Sequence, residues 1–257
     1  MDFKIEKLDD GAVFTLTRPA KLNAITKAIL GGVAECLDDL EKGGQRFLVV
    51  TGEGERAFCA GTDLGESAGL TPEDRTAKND RARALMVRLS RSSLFSVAAI
   101  NGLAYGGGLE LAMGCTVRIA APHVKLALPE VKLGVLPAYG GTQFLPALVG
   151  QARALDMMLT GEPVDAQQAL GMGLINRIAA PGKPLLEQAL DYARSVTQFS
   201  PVAIAGIRRA VAAAGGKVSA DGLETERHEM GIALASEDAT EGVAAFLEKR
   251  PAKFKGR

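Results

Sequence analysis

The chain has 257 residues, with 30 Lys+Arg balanced by 30 Asp+Glu and a pI of about 6.8. That length can bury one sizeable core, and the neutral balance supplies no field to draw the protein to nucleic acid. Its longest apolar stretches, such as Phe47 to Val50 and Val97 to Ile100, fall far short of the roughly 20 residues of a membrane helix.

No basic segment with an apolar run follows Met1, so a soluble, cytoplasmic protein without membrane partners is expected. Cys36, Cys59 and Cys115 are odd in number and widely spaced, which argues against a disulfide framework and against metal-ligand pairs. Cys36 and Cys115 read as small buried hydrophobes.

Phe3 to Lys7 and Ala12 to Thr17 alternate about Asp9-Asp10-Gly11, predicting a hairpin. Thr26 then caps a helix to about Lys42 whose apolar positions recur at helical spacing, and Gly43-Gly44 stops it. Phe47 to Thr51 is a buried strand, giving the strand-helix-strand pattern of an α/β crossover unit. Thr71 and Pro72 start a long helix, Val97 to Ile100 forms the next strand, and a short helix through Met113 precedes strands at Val117 to Ala120 and Lys125 to Leu128. From Gly141 the chain turns Ala-rich and helical, with segments at Gln151 to Leu159, Ala166 to Leu170, Pro184 to Thr197, Pro201 to Ala213 and Leu223 to Ala235, and only Leu174 to Ile178 still extended. A division into a core over 1–190 and a helical region over 191–257 is expected, the latter ending in the basic tail Lys249, Arg250, Lys253, Lys255 and Arg257.

The most informative segment is Asn101 to Glu110, a strand-to-helix connection carrying Gly106-Gly107-Gly108. Consecutive glycines are costly, so close approach or an unusual dihedral is required there. Free amides at the following helix start favour a developing negative charge. A crowded turn without chemistry explains this loop alone equally well. Phe58 to Asp63 is a second glycine-containing loop whose amides can supply the other half of an oxyanion hole, which needs donors from separate segments. Glu110 and Glu130 both sit among apolar neighbours that raise a carboxyl pKa, making a candidate acid/base pair. Gly52 to Ala57 fits a dinucleotide fingerprint only superficially, because Glu53 and Glu55 would face the phosphates. His123 and His228 belong to no defensible triad or metal pattern, and Arg81, Arg83, Arg88 and Arg91 read as a solvated helix face.

Arg18-Pro19-Ala20-Lys21-Leu22-Asn23-Ala24, the Ala60-Gly61-Thr62-Asp63 loop, the glycine loop ending in Glu110, Leu128-Pro129-Glu130-Val131-Lys132-Leu133-Gly134 and Gly140-Gly141-Thr142-Gln143 together resemble the enoyl-CoA hydratase/isomerase (crotonase) family in order and spacing. The resemblance implies an α/β spiral of ββα units with a helical C-terminal trimerisation part, in a homotrimer or a dimer of trimers. It also implies that the amides of Ala60 and Gly107 hold a thioester oxygen while Glu110 and Glu130 bind one water, hydrating the 2,3 double bond of an enoyl-CoA. By the same resemblance the acyl-CoA is held by Lys21, Asn23 and Ala24, by Ala60, Gly61, Thr62, Asp63 and Leu64, by Gly106 and Gly107, and by Pro129, Leu136, Ala138 and Tyr139. Coenzyme A then belongs to the substrate, and no separate cofactor is implied. A double-bond isomerase, or a non-catalytic scaffold or RNA-binding member of the same fold, are the alternatives. Tyr139, Phe144 and Ala138 depart from the small residue, arginine and glycine common in the family, so a shortened or reshaped acyl pocket is expected. Thr116 replaces a usual aspartate, and Gly65 stands where some members place a phosphate-binding lysine.

Overall fold

A computed structural model describes residues 1–215 and 219–257. The hairpin forms as β1 (Phe3–Lys7) and β2 (Gly11–Leu16), antiparallel from Phe3 opposite Leu16 to Lys7 opposite Ala12. Helix α1 (Lys27–Gly43) starts where the Thr26 hydroxyl accepts the Ile29 amide and ends at left-handed Gly44. Its buried Ile29, Val33, Leu37 and Leu40 cover the sheet, and β3 (Phe47–Gly52), wholly buried, returns parallel to β2. This is the crossover unit that the sequence predicts.

The chain then repeats one manoeuvre. After β3, the short β4 (Ala57–Cys59) leaves the first sheet for a second one, and α2 (Leu64–Ser67) and α3 (Pro72–Arg91) lead back. Likewise β5 (Phe95–Ile100) is followed by β6 (Leu103–Tyr105) and α4 (Gly107–Gly114), and β7 (Val117–Ala120) by β8 (Lys125–Ala127) and a 3-10 turn at Glu130–Leu133. Each turn gives one strand to each sheet. Successive turns stack in parallel, β3 on β5 on β7 and β4 on β6 on β8. A spiral of ββα units results.

Helices α5 (Gly141–Val149) and α6 (Gln151–Thr160) follow. The strand β9 (Val164–Asp165) closes the four-stranded sheet antiparallel to β8, α7 (Ala166–Gly171) follows, and β10 (Arg177–Ile178) closes the six-stranded sheet parallel to β7. Of the extended segment expected over Leu174 to Ile178, only those last two residues pair. Leu174 and Ile175 instead plug the core. The core continues through Phe14, Leu48, Phe58, Leu89, Leu109 and Leu126, with Cys36, Cys59 and Cys115 buried as free thiols. Arg88 turns out not to be merely solvated: it pairs with Asp38 at 2.5 Å and with Glu41 at 3.1 Å, tying α3 to α1.

The chain divides into two compact units, Met1–Ala193 and Arg194–Arg257, with α8 (Leu185–Thr197) crossing the division. The second contains α9 (Pro201–Ala214), α10 (Ala220–Leu234) and α11 (Glu237–Leu247). Within it, Arg209 grips Glu229 through two 2.6 Å bonds that join α9 to α10. Asp238 at the start of α11 accepts the Lys255 and Gly256 amides, so the basic tail folds back onto this unit. Among the described residues, no helix is long and apolar enough to cross a membrane.

Candidate active site

The two glycine loops meet where adjacent turns of the spiral touch. Parallel pairing of β4 with β6 brings the Ala60–Asp63 segment beside the Gly106–Gly108 segment: a Cβ built on Gly61 would lie 3.4 Å from the Gly107 nitrogen. Gly106 has φ +51 and ψ −129, a conformation that only glycine adopts readily. Gly108 is needed for space instead, since a Cβ there would overlap the Cys59 carbonyl oxygen. Gly108→Ala is accordingly expected to destabilise the fold by about 2 kcal/mol through forced displacement of β4, measured as a lowered urea midpoint. An unchanged midpoint would show that the loops can separate.

The geometry corrects one donor in the expected amide pair. The Ala60 amide is already engaged, donating to the Leu22 carbonyl at 2.9 Å. Its neighbour Thr62 forms a parallel bridge with Ile25: Ile25 donates to the Gly61 carbonyl at 2.8 Å and Asp63 donates to the Ile25 carbonyl at 2.9 Å. In such a ladder the middle residue turns its own amide to the opposite side. Thr62, two residues beyond Ala60, therefore presents its N–H toward the cavity. Gly107, the first residue of α4, has no acceptor within its own helix. Thr62 and Gly107 both line the cavity.

Glu110 projects from the first turn of α4 and is 1% exposed. One carboxylate oxygen, Oε1, accepts the amides of Gly141 at 2.7 Å and Tyr139 at 2.8 Å, fixing its rotamer from the start of α5. Burial pushes its pKa up to about 7, the Gly141 and Tyr139 amides opposing the shift and the Glu130 charge adding to it. Glu130 begins the 3-10 turn after β8, its Oε1 beside Gly106, where a Cβ would come within 2.9 Å. Its Oε2 is buried and has no hydrogen-bond partner among the described residues. Burial raises this carboxyl as well.

Both carboxylates line one cavity of about 270 Å³ with Ala60, Gly61, Thr62, Leu64, Gly106, Gly107, Pro129, Leu136, Ala138 and Tyr139, all expected from the sequence. Lys21, Asn23, Ala24 and Asp63 are not brought to it. Asn23 is fully buried, and its side chain is consumed by main chain: Oδ1 accepts the Arg18 amide, and Nδ2 donates to the Ala57 and Glu53 carbonyls. Arg18 in turn binds Asp63 at 2.8 Å and the Ala24 carbonyl at 2.8 Å. These motif residues shape the Thr62 loop from behind. Lys21 lies exposed on a 3-10 turn.

Sequence reasoning missed Ser67, Arg75, Asn79, Leu133 and Val135, which complete the lining. Arg75 and Asn79 stand four residues apart on α3, a spacing that shares one helix face. Leu133, Val135 and Leu136 line the cavity with apolar side chains that are more than half exposed. Phe144 packs against the core beside Gly140, and Thr116 exchanges hydrogen bonds with Ser96, a structural part.

A ββα spiral with two amide-bearing loops lapped over a carboxylate pair defines a protein of the crotonase fold. Its coordinates superpose on the enoyl-CoA hydratase from Bacillus anthracis with a TM-score of 0.94, at 32% identity and over 100% of both chains. The profile of the Enoyl-CoA hydratase/isomerase family matches residues 10–257, and the chain belongs to that family. It is 40% identical over 247 residues to a "Probable enoyl-CoA hydratase" of Bacillus subtilis, covering 95% of each chain. It is also 38% identical over 250 residues to the "2,3-dehydroadipyl-CoA hydratase" of Escherichia coli, again covering 95% of each.

Proposed function

We propose that the protein is an enoyl-CoA hydratase that adds water across the 2,3 double bond of a 2-enoyl-CoA, or runs the reverse dehydration. The observation that carries this reading is the cavity itself: two carboxyls with raised pKa face the same space as the Thr62 and Gly107 amides. A thioester carbonyl held by those amides becomes a stronger electron sink, and losing such a donor typically costs about 3 to 4 kcal/mol of barrier.

With the carbonyl so polarised, C3 becomes electrophilic. A water held between Glu110 and Glu130 breaks one O–H bond, giving its hydroxyl to C3 and its proton to the carboxylate pair. The pair returns a proton to C2 as the enolate-like electron density collapses there. The π bond is consumed, C3–O and C2–H bonds form, and the pair ends with the protons it began with. Glu110, held by two amides, positions the water; Glu130, beside Gly106, exchanges the proton at C2. The two titrate as one coupled system. Coenzyme A is carried by the substrate, and the reaction needs no further cofactor.

The C-terminal unit supports assembly of copies. Ile207, Val211, Val243, Phe246 and Leu247 are each more than 60% exposed in the single chain, apolar side chains that a second copy would cover. A homotrimer, alone or paired, is the assembly we infer.

Turnover of crotonyl-CoA and longer, branched and aryl 2-enoyl thioesters beside 3-enoyl thioesters tests the reaction. Formation of 3-hydroxyacyl-CoA from the 2-enoyl series is expected. Conversion of 3-enoyl to 2-enoyl thioester without hydration would assign the isomerase reaction instead.

A further inference from the structure

Tyr139 meets the Thr62 loop, the start of α4 and Glu110. Its amide donates to Glu110 at 2.8 Å. Its ring, 2% exposed, packs under the first residue of α4, so that a Cβ on Gly107 would come within 2.9 Å of the ring edge. Its phenolic oxygen accepts a 2.7 Å hydrogen bond from the hydroxyl of Thr62. Backbone sites on the Thr62 loop are held from behind by Ile25, as described above. The Tyr139 bond is the tie on the cavity side, linking segments 77 residues apart.

We propose that Tyr139 is a positioning residue: its hydroxyl ties down the loop that carries the Thr62 amide while its own amide orients Glu110, so one residue sets the thioester-oxygen donors against the acid/base carboxylate. Resting on the hydratase reading, this adds a part that the reading does not require, because both carboxylates and both amides would be present without the phenol. The physical reason is leverage. A donor works only when aimed at where charge develops, and a loop free to swing loses that aim. The hydroxyl pair sits in the half-buried wall of the cavity, where such a bond is worth more than in water.

Tyr139→Phe removes the bond but keeps the ring and the amide, so folding and the hold on Glu110 should persist. Thr62→Val removes the same bond from the other side with little change of shape. Each variant is expected to lower kcat by about tenfold, the scale of one lost hydrogen bond, with KM little changed. The double variant should fall no further than either single one, because one interaction is deleted in all three. A direct reading of the amides comes from an aryl-conjugated enoyl-CoA, whose absorption band moves to longer wavelength when its carbonyl is polarised. Wild type and Glu130→Gln should show the full displacement on binding, and Tyr139→Phe and Thr62→Val a reduced one.

Additive losses in the double variant, or an undiminished band displacement in both single variants, would overturn the positioning role. If wild type itself neither hydrates 2-enoyl thioesters nor displaces the band, the hydratase reading falls first. An active, Glu110-dependent enzyme indifferent to Tyr139→Phe leaves that reading standing and removes only this inference.

Discussion

Exchanging either Glu110 or Glu130 for glutamine is expected to lower kcat for enoyl-CoA hydration by about 10² to 10⁴, the range of a lost general acid or base. Little else changes with the exchange. A glutamine at position 110 still offers one carbonyl-type oxygen to the Tyr139 and Gly141 amides, the two bonds that hold the native side chain. At position 130, the native Oε1 lies against Gly106 and Oε2 has no partner among the described residues, so an isosteric amide meets no new clash. Charge and proton transfer are lost while shape is kept. KM should therefore change much less than kcat. Because the pair acts on one water, the double variant should be only slightly slower than the worse single one. Loss of the enoyl-thioester absorbance in steady state, with circular dichroism to verify folding, measures this. Either single variant running within about tenfold of wild type would remove that residue from the acid/base role.

Much of the fold is legible because hydrophobic period and capping chemistry agree. Thr26, Gly44, Thr71 and Pro72 mark helix ends by their own side-chain or backbone preferences, and the unbroken apolar run Phe47 to Val50 announces a strand covered on both faces. What escapes is short or disguised. Strands Ala57–Cys59, Leu103–Tyr105 and Val164–Asp165 have too few residues to show a period. Helix α5 opens on Gly140-Gly141 and contains Pro146, both of which read as breakers. Yet those short strands are what separate the second sheet from the first and place the two glycine loops side by side.

Site residues follow the same division. Glu110 is legible because an acid in an apolar first turn following three glycines is chemically conspicuous. The second amide is not, since Ala60 and Thr62 lie in one loop and only the register of Thr62 against Ile25 decides which N–H is turned to the cavity side. A parallel bridge between segments far apart in sequence leaves no local trace. Asn23 misleads for a related reason: a polar side chain in a recognisable motif suggests a ligand contact, and only the coordinates show its three hydrogen bonds closing on main chain.

The raised carboxyl pKa values have a thermodynamic consequence that separates stability from activity. Glu110 moves from 4.5 to about 7 on folding, so between those values the folded protein binds a proton that the unfolded chain has released. Its stabilising effect is complete below the unfolded pKa and is lost as pH rises through the folded one; above that, burying the charge costs about 3 kcal/mol. Wild type should accordingly lose stability from mildly acidic to mildly alkaline pH. Glutamine at position 110 carries no charge at any pH and keeps both amide bonds, so Glu110→Gln should be the more stable protein above pH of about 7 and should match wild type at low pH. Glu130 is shifted in the same direction, and Glu130→Gln should remove further slope. Carboxyls held low by cationic partners, such as Asp63 by Arg18 and Glu241 by Arg250, titrate at more acidic pH and leave this window alone. Urea midpoints across the window decide the matter: parallel curves for wild type and both variants would mean that neither carboxyl is held protonated by its surroundings. Diverging curves, together with the kinetic collapse of the same variants, would identify the site as one that gives up stability at working pH to keep its acid and base poised.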